Sequence, residues 1–394
     1  MVAPVFHWFL PTGGDGRRLG GSVHGLGIGV TQAAAQTRTA QTRTAQTRAA
    51  AEPAAGERAA SLEYLSQIAQ AADRLGYEAV LTPTGAHCED AWVVTAALIA
   101  QTSRLKFLVA FRPGLTEPAL AAHMGATFQR LSGGRLLLNV VAGSSDAEQR
   151  SFGDRLPHDD RYQRAEEFLD VVRRSWTGLP FDHHGRHYDL EHSLLRQPPD
   201  PLPQVYLGGS SQPALDLAGR HADTYLTWGE PPAMVAEKVE RVSERAAAHG
   251  RRLRFGLRIH VISRDTSAQA WHDADALIAG LSDETIVEGQ RRLRTLESVG
   301  QSRMLALHGG SRDRLVVAPN LWAGIGLVRG GAGTALVGSH DEVAERIAEY
   351  QQAGIDEFIL SGYPHLEEAY SFAEGVIPLF APDTAVRRSV GPLL

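Results

Sequence analysis

SLEYLSQIAQAADRLGYEAVLTPT, residues 61–84, is the stretch on which the fold turns. Residues 61–76 place apolar side chains at helical spacing behind a capping serine, Ser61, and residues 78–84 change to a short apolar run of strand character. The cycle repeats downstream as DAWVVTAALIAQ (90–101), KFLVAFRP (106–113), PALAAHMGATFQRL (118–131), RLLLNVVAG (135–143) and the helical DDRYQRAEEFLDVVRRSW (159–176). With PVFHWFLPTG (4–13) as the first strand, four β/α units are legible by about residue 176. Then follow QVYLGG (204–209), the helix PALDLAGRHA (213–222), DTYLTWG (223–229), the helix PAMVAEKVERVSERAAAHG (232–250), RFGLRIHVI (254–262) and DEFILSGYP (356–364), before HLEEAYSFAEGVIPLF (365–380). Eight strands alternating with helical segments predict a (β/α)8 barrel, a single domain over residues 1–380, in preference to an open sheet.

Two segments break the rhythm. From Thr31 to Ala50 the chain reads TQAAAQTRTAQTRTAQTRAA, an imperfect five-residue repeat that keeps no apolar face on a helix or a strand. It is predicted to be a low-complexity surface insertion. The interval 265–354 is the least regular part and is predicted to hold extra helices and a mobile loop, with TIVEGQRRLRTLESVGQSRMLALHGGSRDRL (285–315) near the mouth of the site.

Composition narrows the function. The formal charge of −6, from 39 basic and 45 acidic residues, argues against nucleic acid as the main partner while leaving room for local anion sites. One cysteine permits neither an intrachain disulfide nor a multi-cysteine metal site, which fits a reducing compartment. No basic leader with a sufficient apolar run and no membrane span is apparent, so a soluble cytoplasmic protein is expected.

In such a barrel, reactive groups gather at the C-terminal ends of strands. Cys88 follows the second strand, Asn139 lies in the fourth, Arg258 and His260 share one face of the seventh, and Tyr363 follows the eighth. Cys88 reads as a ligand contact, a thiol activated by basic neighbours, or a small packing residue. Arg258 can grip an anionic oxygen through several donors or support a loop in an ion pair. His260 can transfer a proton, organise the arginine, or serve as a hydrogen-bonded barrel histidine. Arg329, in LVRGGAG, stands in a glycine context that permits close approach of an anion, against a plain hinge. Tyr363, in SGYPH, can donate to developing negative charge or pack over the site. The run GGSS (208–211) ends a strand and enters a helix, so its amides and the hydroxyls of Ser210 and Ser211 are phosphate candidates, with a cap and tight turn as the alternative. GIGLVRGGAG lacks the strand-to-helix context of a dinucleotide fingerprint, and FDHHGRHYDLEH (181–192) reads as an exposed loop, not a metal centre.

FHWFLPTGGDG (6–16), LTPTGAHCEDAW (81–92), RLKFLVAFRPG (104–114), YLTWGEPP (225–232), RFGLRIHVI, PNLWAGIGLVRGGAGTALVG (319–338) and SGYPHLEEAY (361–370) resemble the signatures of the two-component alkanesulfonate monooxygenases of the bacterial luciferase-like superfamily. The likeness covers nearly the whole chain apart from the repeat. It implies a barrel enzyme that uses reduced FMN (FMNH2) and O2 to convert an alkanesulfonate into an aldehyde and sulfite for sulfur acquisition. A separate NAD(P)H-dependent FMN reductase would supply the flavin, and the family is usually a homotetramer. The resemblance makes Cys88, Arg258, His260, Arg329 and Tyr363 the catalytic set. Arg258 and Arg329 would bind the sulfonate or the oxyanion formed on oxygenation, His260 would orient the arginines and take part in proton transfer, Cys88 would tune the pocket, and Tyr363 would contact flavin or substrate. It makes Asn139, Tyr162, Ser210 and Ser211 the flavin contacts, with Tyr162 and the serines at the phosphate and Asn139 nearer the ring. One departure stands out: the family commonly has LPTHGDG, whereas this chain has LPTGGDG, with Gly13 at the histidine position. Loss of that imidazole bears on rate and substrate preference more than on fold. The repeat likewise replaces a normally compact loop.

Overall fold

In the computed structural model, which describes residues 3–19 and 57–380, eight parallel strands are hydrogen-bonded in chain order. They are β1 (Val5–Phe9), β2 (Ala79–Thr82), β3 (Lys106–Phe111), β4 (Leu136–Val140), β5 (Gln204–Gly208), β6 (Thr224–Trp228), β7 (Arg254–Arg264) and β8 (Glu357–Ser361). The ring closes where Phe6 of β1 pairs with Phe358 of β8. The barrel is therefore the one expected, strand for strand. The repeat at Thr31–Ala50 lies outside the described residues.

The strands read as continuous apolar runs because both of their faces are covered. Phe9, Leu81, Leu108, Leu137, Tyr206 and Ile359 pack inside the barrel, while the alternate side chains meet the helices. The first of these helices, Leu62–Leu75, shows how local chemistry sets an element: the Ser61 hydroxyl accepts from the Tyr64 amide, Gly76 ends the helix at φ 92°, and Tyr64, Leu65, Ile68, Ala69 and Ala72 form the buried stripe. A serine cap of this kind is worth about 1 kcal/mol. At the N-terminal end the barrel is plugged by polar groups: the Glu357 carboxylate binds His7 Nε2 at 3.0 Å and accepts from the Tyr206 hydroxyl at 2.9 Å. The other end is left for function.

β7 is long, and that length shapes the functional end. Its first part pairs with β6, and beyond Arg258 the same edge passes to an additional strand, Ala335–Ser339, paired from His260 onward. Thr334 Oγ joins the two at the hand-over by donating to the Gly229 carbonyl at 2.6 Å. This extra strand was not foreseen. The interval from 265 also contains helices at Ser267–Ile278, Asp283–Leu293, Val299–His308 and His340–Gln352. The segment FDHHGRHYDLEH, read as a loop, is instead a short antiparallel hairpin of Phe181–His184 and Asp189–Ser193. Its histidines pair locally with acids, His184 with Asp189 at 2.6 Å and His183 with Glu167 at 3.0 Å, which favours an ordered ribbon in a polar stretch. No helix among the described residues is long and apolar enough to cross a membrane.

Candidate active site

At the C-terminal end of the strands lies a cavity of about 330 Å³. All five residues proposed as catalytic line it: Cys88 from the loop after β2, Arg258 and His260 from β7, Arg329 before the extra strand, and Tyr363 after β8. Phe9, at the end of β1, is shared ground for the two arginines. The Arg258 guanidinium carbon lies 4.6 Å from the Phe9 ring centroid and that of Arg329 lies 5.7 Å from it.

The electrostatics of the pair are unusual. Arg258 is buried, and its Nη1 donates to the Ile259 carbonyl at 2.9 Å; among the described residues neither arginine makes an ion pair with a carboxylate. Burial, and then the charge of Arg329, pushes Arg258 well below the usual guanidinium range. Burial brings Arg329 down to about 10, against the opposing pull of Cys88 and Asp15. Desolvating a guanidinium costs several kcal/mol, and a desolvated cation–π contact returns about 2 of them. The remainder is what an incoming anion would recover.

His260 is fixed from three sides. Its Nδ1 faces the Ser361 hydroxyl at 2.6 Å, its Nε2 faces the Ala332 carbonyl at 3.0 Å, and its ring stacks on Tyr363 with centroids 5.4 Å apart and planes at 20°. A carbonyl can only accept, so Nε2 carries the proton and Nδ1 accepts from Ser361. Burial and the nearby arginines keep the ring neutral by lowering its pKa well below the ordinary histidine value. Both nitrogens are thus occupied in holding Ser361, Ala332 and Tyr363 in place, which favours the organising role over proton transfer. Cys88 is not an activated thiol: burial raises its pKa, although the Thr12 hydroxyl and Arg329 pull the other way.

An adjoining cavity of about 220 Å³ shares Asn139, Trp228 and Arg258 with the first and runs to Tyr162, Gly209 and Ser210. Gly209 has φ 134°, and a Cβ there would meet Ala214 at 2.6 Å and the Tyr162 hydroxyl at 3.1 Å, so only glycine lets the chain pass. The next helix, Gln212–His221, starts at Ser211, whose side chain makes no capping bond. Its first amides are therefore left for an external acceptor. Ser211 stands at that helix start beside Tyr162 and, unlike Ser210, is not part of the cavity wall.

The segment after 265 contributes to the walls of both cavities. Leu296 and Gln301 line the first cavity, and Glu297, Ser298 and Gly300 the second. Gln301 Oε1 accepts from the Gly331 amide at 2.9 Å, and Arg303 anchors the helix by paired bonds of 2.6 and 2.7 Å to buried Glu230. The glycines around Arg329 serve backbone packing: the Gly326 amide donates to the Gly333 carbonyl at 2.9 Å, and a Cβ on Gly333 would fall 2.7 Å from Gly326 Cα.

A profile of the family described as luciferase-like monooxygenase matches residues 35–357. The chain belongs to the luciferase-like monooxygenases. Among solved structures, it is similar to a riboflavin lyase with modified FMN and riboflavin, at 21% identity over 96% of this chain and 91% of that one, with a TM-score of 0.74. It is also similar to the EDTA monooxygenase from Chelativorans sp. BNC1, at 19% identity over 96% and 93% with a TM-score of 0.71. A long-chain alkane monooxygenase matches at 18% identity over 96% and 91%, also with a TM-score of 0.71. At these identities the neighbours speak for the barrel.

In this luciferase-like chain the structure adds a dyad that the sequence reading missed. Asp15, fully buried, accepts from the His365 amide at 2.7 Å and ring Nδ1 at 2.9 Å, and from the Tyr64 hydroxyl. Burial pushes the Asp15 carboxyl up, but these donors and the His365 charge more than reverse it, to about 2. Burial keeps His365 below the ordinary histidine range. With Nδ1–H committed to Asp15, the buried Nε2 of His365 has no hydrogen-bond partner among the described residues, and His365 lines the cavity. The separation of 350 residues hid the dyad, although both residues lie inside quoted motifs. Among the described residues no group of three or more His, Cys, Asp or Glu is placed to hold a metal.

The fit to a flavin rests on the donor set. An FMN phosphate would be met by the open amides of the helix Gln212–His221, by Ser210 and by the Tyr162 hydroxyl, with Ser211 set back at the helix start, and the ring would be held at Asn139 and Trp228, where the two cavities join.

Proposed function

We propose that this protein is an FMNH2- and O2-dependent alkanesulfonate monooxygenase that releases the aldehyde and sulfite, serving sulfur acquisition. The balance is R–CH2–SO3− + O2 + FMNH2 → R–CHO + HSO3− + FMN + H2O. The reading is carried by the two guanidiniums on Phe9, that of Arg258 buried and that of Arg329 half-buried, without carboxylate partners among the described residues, beside a cavity fit for flavin. Reduced FMN with O2 supplies two electrons and the oxygen atom.

The chain's own residues supply the rest. Arg258 and Arg329 bind the sulfonate head by charge-assisted hydrogen bonds and stabilise negative charge as it develops. Tyr363, held by the His260 ring, adds a hydroxyl donor. His365 Nε2, oriented by Asp15, accepts the hydroxyl proton of the oxidised carbon as the C–S bond breaks and the electron pair leaves with sulfite. Leu296 and Gln301 keep water from the reacting atoms. In this reading the flavin comes from a separate NAD(P)H-dependent reductase, the working assembly is a homotetramer, and the compartment is the cytoplasm.

Oxygen consumption tests the proposal when reductase, FMN and NAD(P)H are present and the aldehyde is trapped. One aldehyde per O2, dependent on the sulfonate, supports the reading. Flavin-linked oxidation of an alcohol without O2 uptake would replace it with a hydride-transferring dehydrogenase.

A further inference from the structure

The imidazoles deep in the site are committed: His260 through both ring nitrogens and His365 through the one that faces Asp15. His87 differs. It lies on the loop after β2, beside Cys88, exposed at the rim of the larger cavity, and its ring makes no hydrogen bond with any described residue.

Its place is set by two glycines and a carboxylate. A Cβ on Gly13 would stand 3.1 Å from the His87 carbonyl oxygen and 4.0 Å from the ring's Cδ2, so a side chain at Gly13 would press residue 87 back from the first loop by a few tenths of an ångström. A Cβ on Gly85 would lie 3.0 Å from His87 Cε1 and 3.2 Å from Glu148 Oε1, which puts imidazole and carboxylate close to one point. Glu148 is itself held, by Arg112 Nη2 at 2.8 Å and the Ala86 amide at 2.7 Å. The charged groups facing the ring are thus Glu148 from the helix Asp146–Ser151, Arg112 after β3 and Arg329 before the extra strand; the β1 loop brings none. Desolvation of the part of the ring that faces the cavity lowers the His87 pKa, Glu148 opposes this, and Arg329 and Arg112 lower it further, so the free ring is less basic than an ordinary histidine.

Resting on the anion-binding reading above, we propose that His87, seated over Gly13, is the proton-accepting member of the anion site: when a sulfonate seats against Arg329, the ring takes a proton from solvent and becomes a further cationic contact for the head group. A bound anion cancels the field of Arg329 on the ring while Glu148 remains, and whatever makes the ring more basic on binding must make binding tighter as pH falls. Gly13 and His87 would thus act as a pair that sets how this chain holds its substrate's charge.

The test uses the full-length protein and ethanesulfonate alone, without flavin. Proton uptake is followed by calorimetry in buffers of different ionisation enthalpy, and the His87 ring by NMR. The expected result is proton uptake of less than one per anion at neutral pH, a titration of the His87 ring that moves to higher pH when the anion binds, and affinity that rises a few-fold on mild acidification. His87→Gln should lose all three while still binding the anion. Gly13→Ala changes no charge but displaces His87, and should diminish the uptake. Uptake that persists in His87→Gln, or a ring titration unmoved by bound anion, overturns the proposal. So does a wild-type protein that binds no anion. Sulfite release with an unmoved His87 removes this inference and leaves the monooxygenase reading, whereas an anion-coupled His87 in a protein that never yields sulfite does the reverse.

Discussion

Arg258 and Arg329 come from strands and turns 71 positions apart, yet both lay their guanidiniums on the Phe9 ring, with centroid distances of 4.6 and 5.7 Å. Arg258→Leu removes a buried charge that no carboxylate of the described residues offsets. The fold is therefore expected to keep or gain stability, while turnover falls by roughly two orders of magnitude, the usual loss for one donor to developing negative charge. Thermal melting and steady-state kinetics on the same variant check both halves; a destabilised protein with unchanged kinetics would refute them.

The dyad of Asp15 and His365 gives a second expectation. Asp15→Asn keeps the shape but removes the negative charge and turns one of two accepting oxygens into a donor, which loosens the hold on the Nδ1–H tautomer, and turnover should fall roughly a hundredfold, within the range of general-base catalysis. Flavin affinity should stay unchanged. Loss of flavin binding would make the dyad structural.

Stability should depend on pH through His260. Its folded pKa lies below the ordinary value of 6.5 because of burial and the neighbouring arginines. The unfolded chain therefore binds more protons in the window below 6.5, so the stabilisation is complete above that pH and is lost as pH falls through it. Each such histidine adds a slope of about 1.4 kcal/mol per pH unit. Urea unfolding at pH 6.5 and 5.5 should show a shallower fall in His260→Gln, and equal slopes would contradict the assignment.

The helix Ala91–Leu98 is apolar on nearly all sides, and Val93 is 69% exposed. An apolar helix normally lies buried. If this face is covered in the proposed homotetramer, Val93→Lys should yield a smaller species in light scattering with an unaltered melting curve at high dilution. An unchanged mass would move the subunit contact elsewhere.

How far the sequence carried the account depends on the range of the interactions. Ser61 and the stripe from Tyr64 to Ala72 act within one helix, so the barrel's alternation is legible from periodicity. Arg258 and His260 were paired correctly because strand geometry places residues two apart on one face. The Asp15–His365 dyad and the stacking of two arginines on Phe9 are contacts between segments far apart in the chain, for which no local pattern exists. The hairpin Phe181–Ser193 was hidden for another reason: its histidines and acids pair side chain to side chain in a ribbon with no buried face to imprint an alternation.

Desulfonation is measured as sulfite released from a panel of C1 to C10 alkanesulfonates, with the protein, an FMN reductase, NAD(P)H, FMN and O2, and controls lacking each. The expected result is sulfite that requires this protein, reduced FMN and O2 together and that varies with chain length. No sulfite from any member, with folded protein and verified flavin reduction, would contradict it.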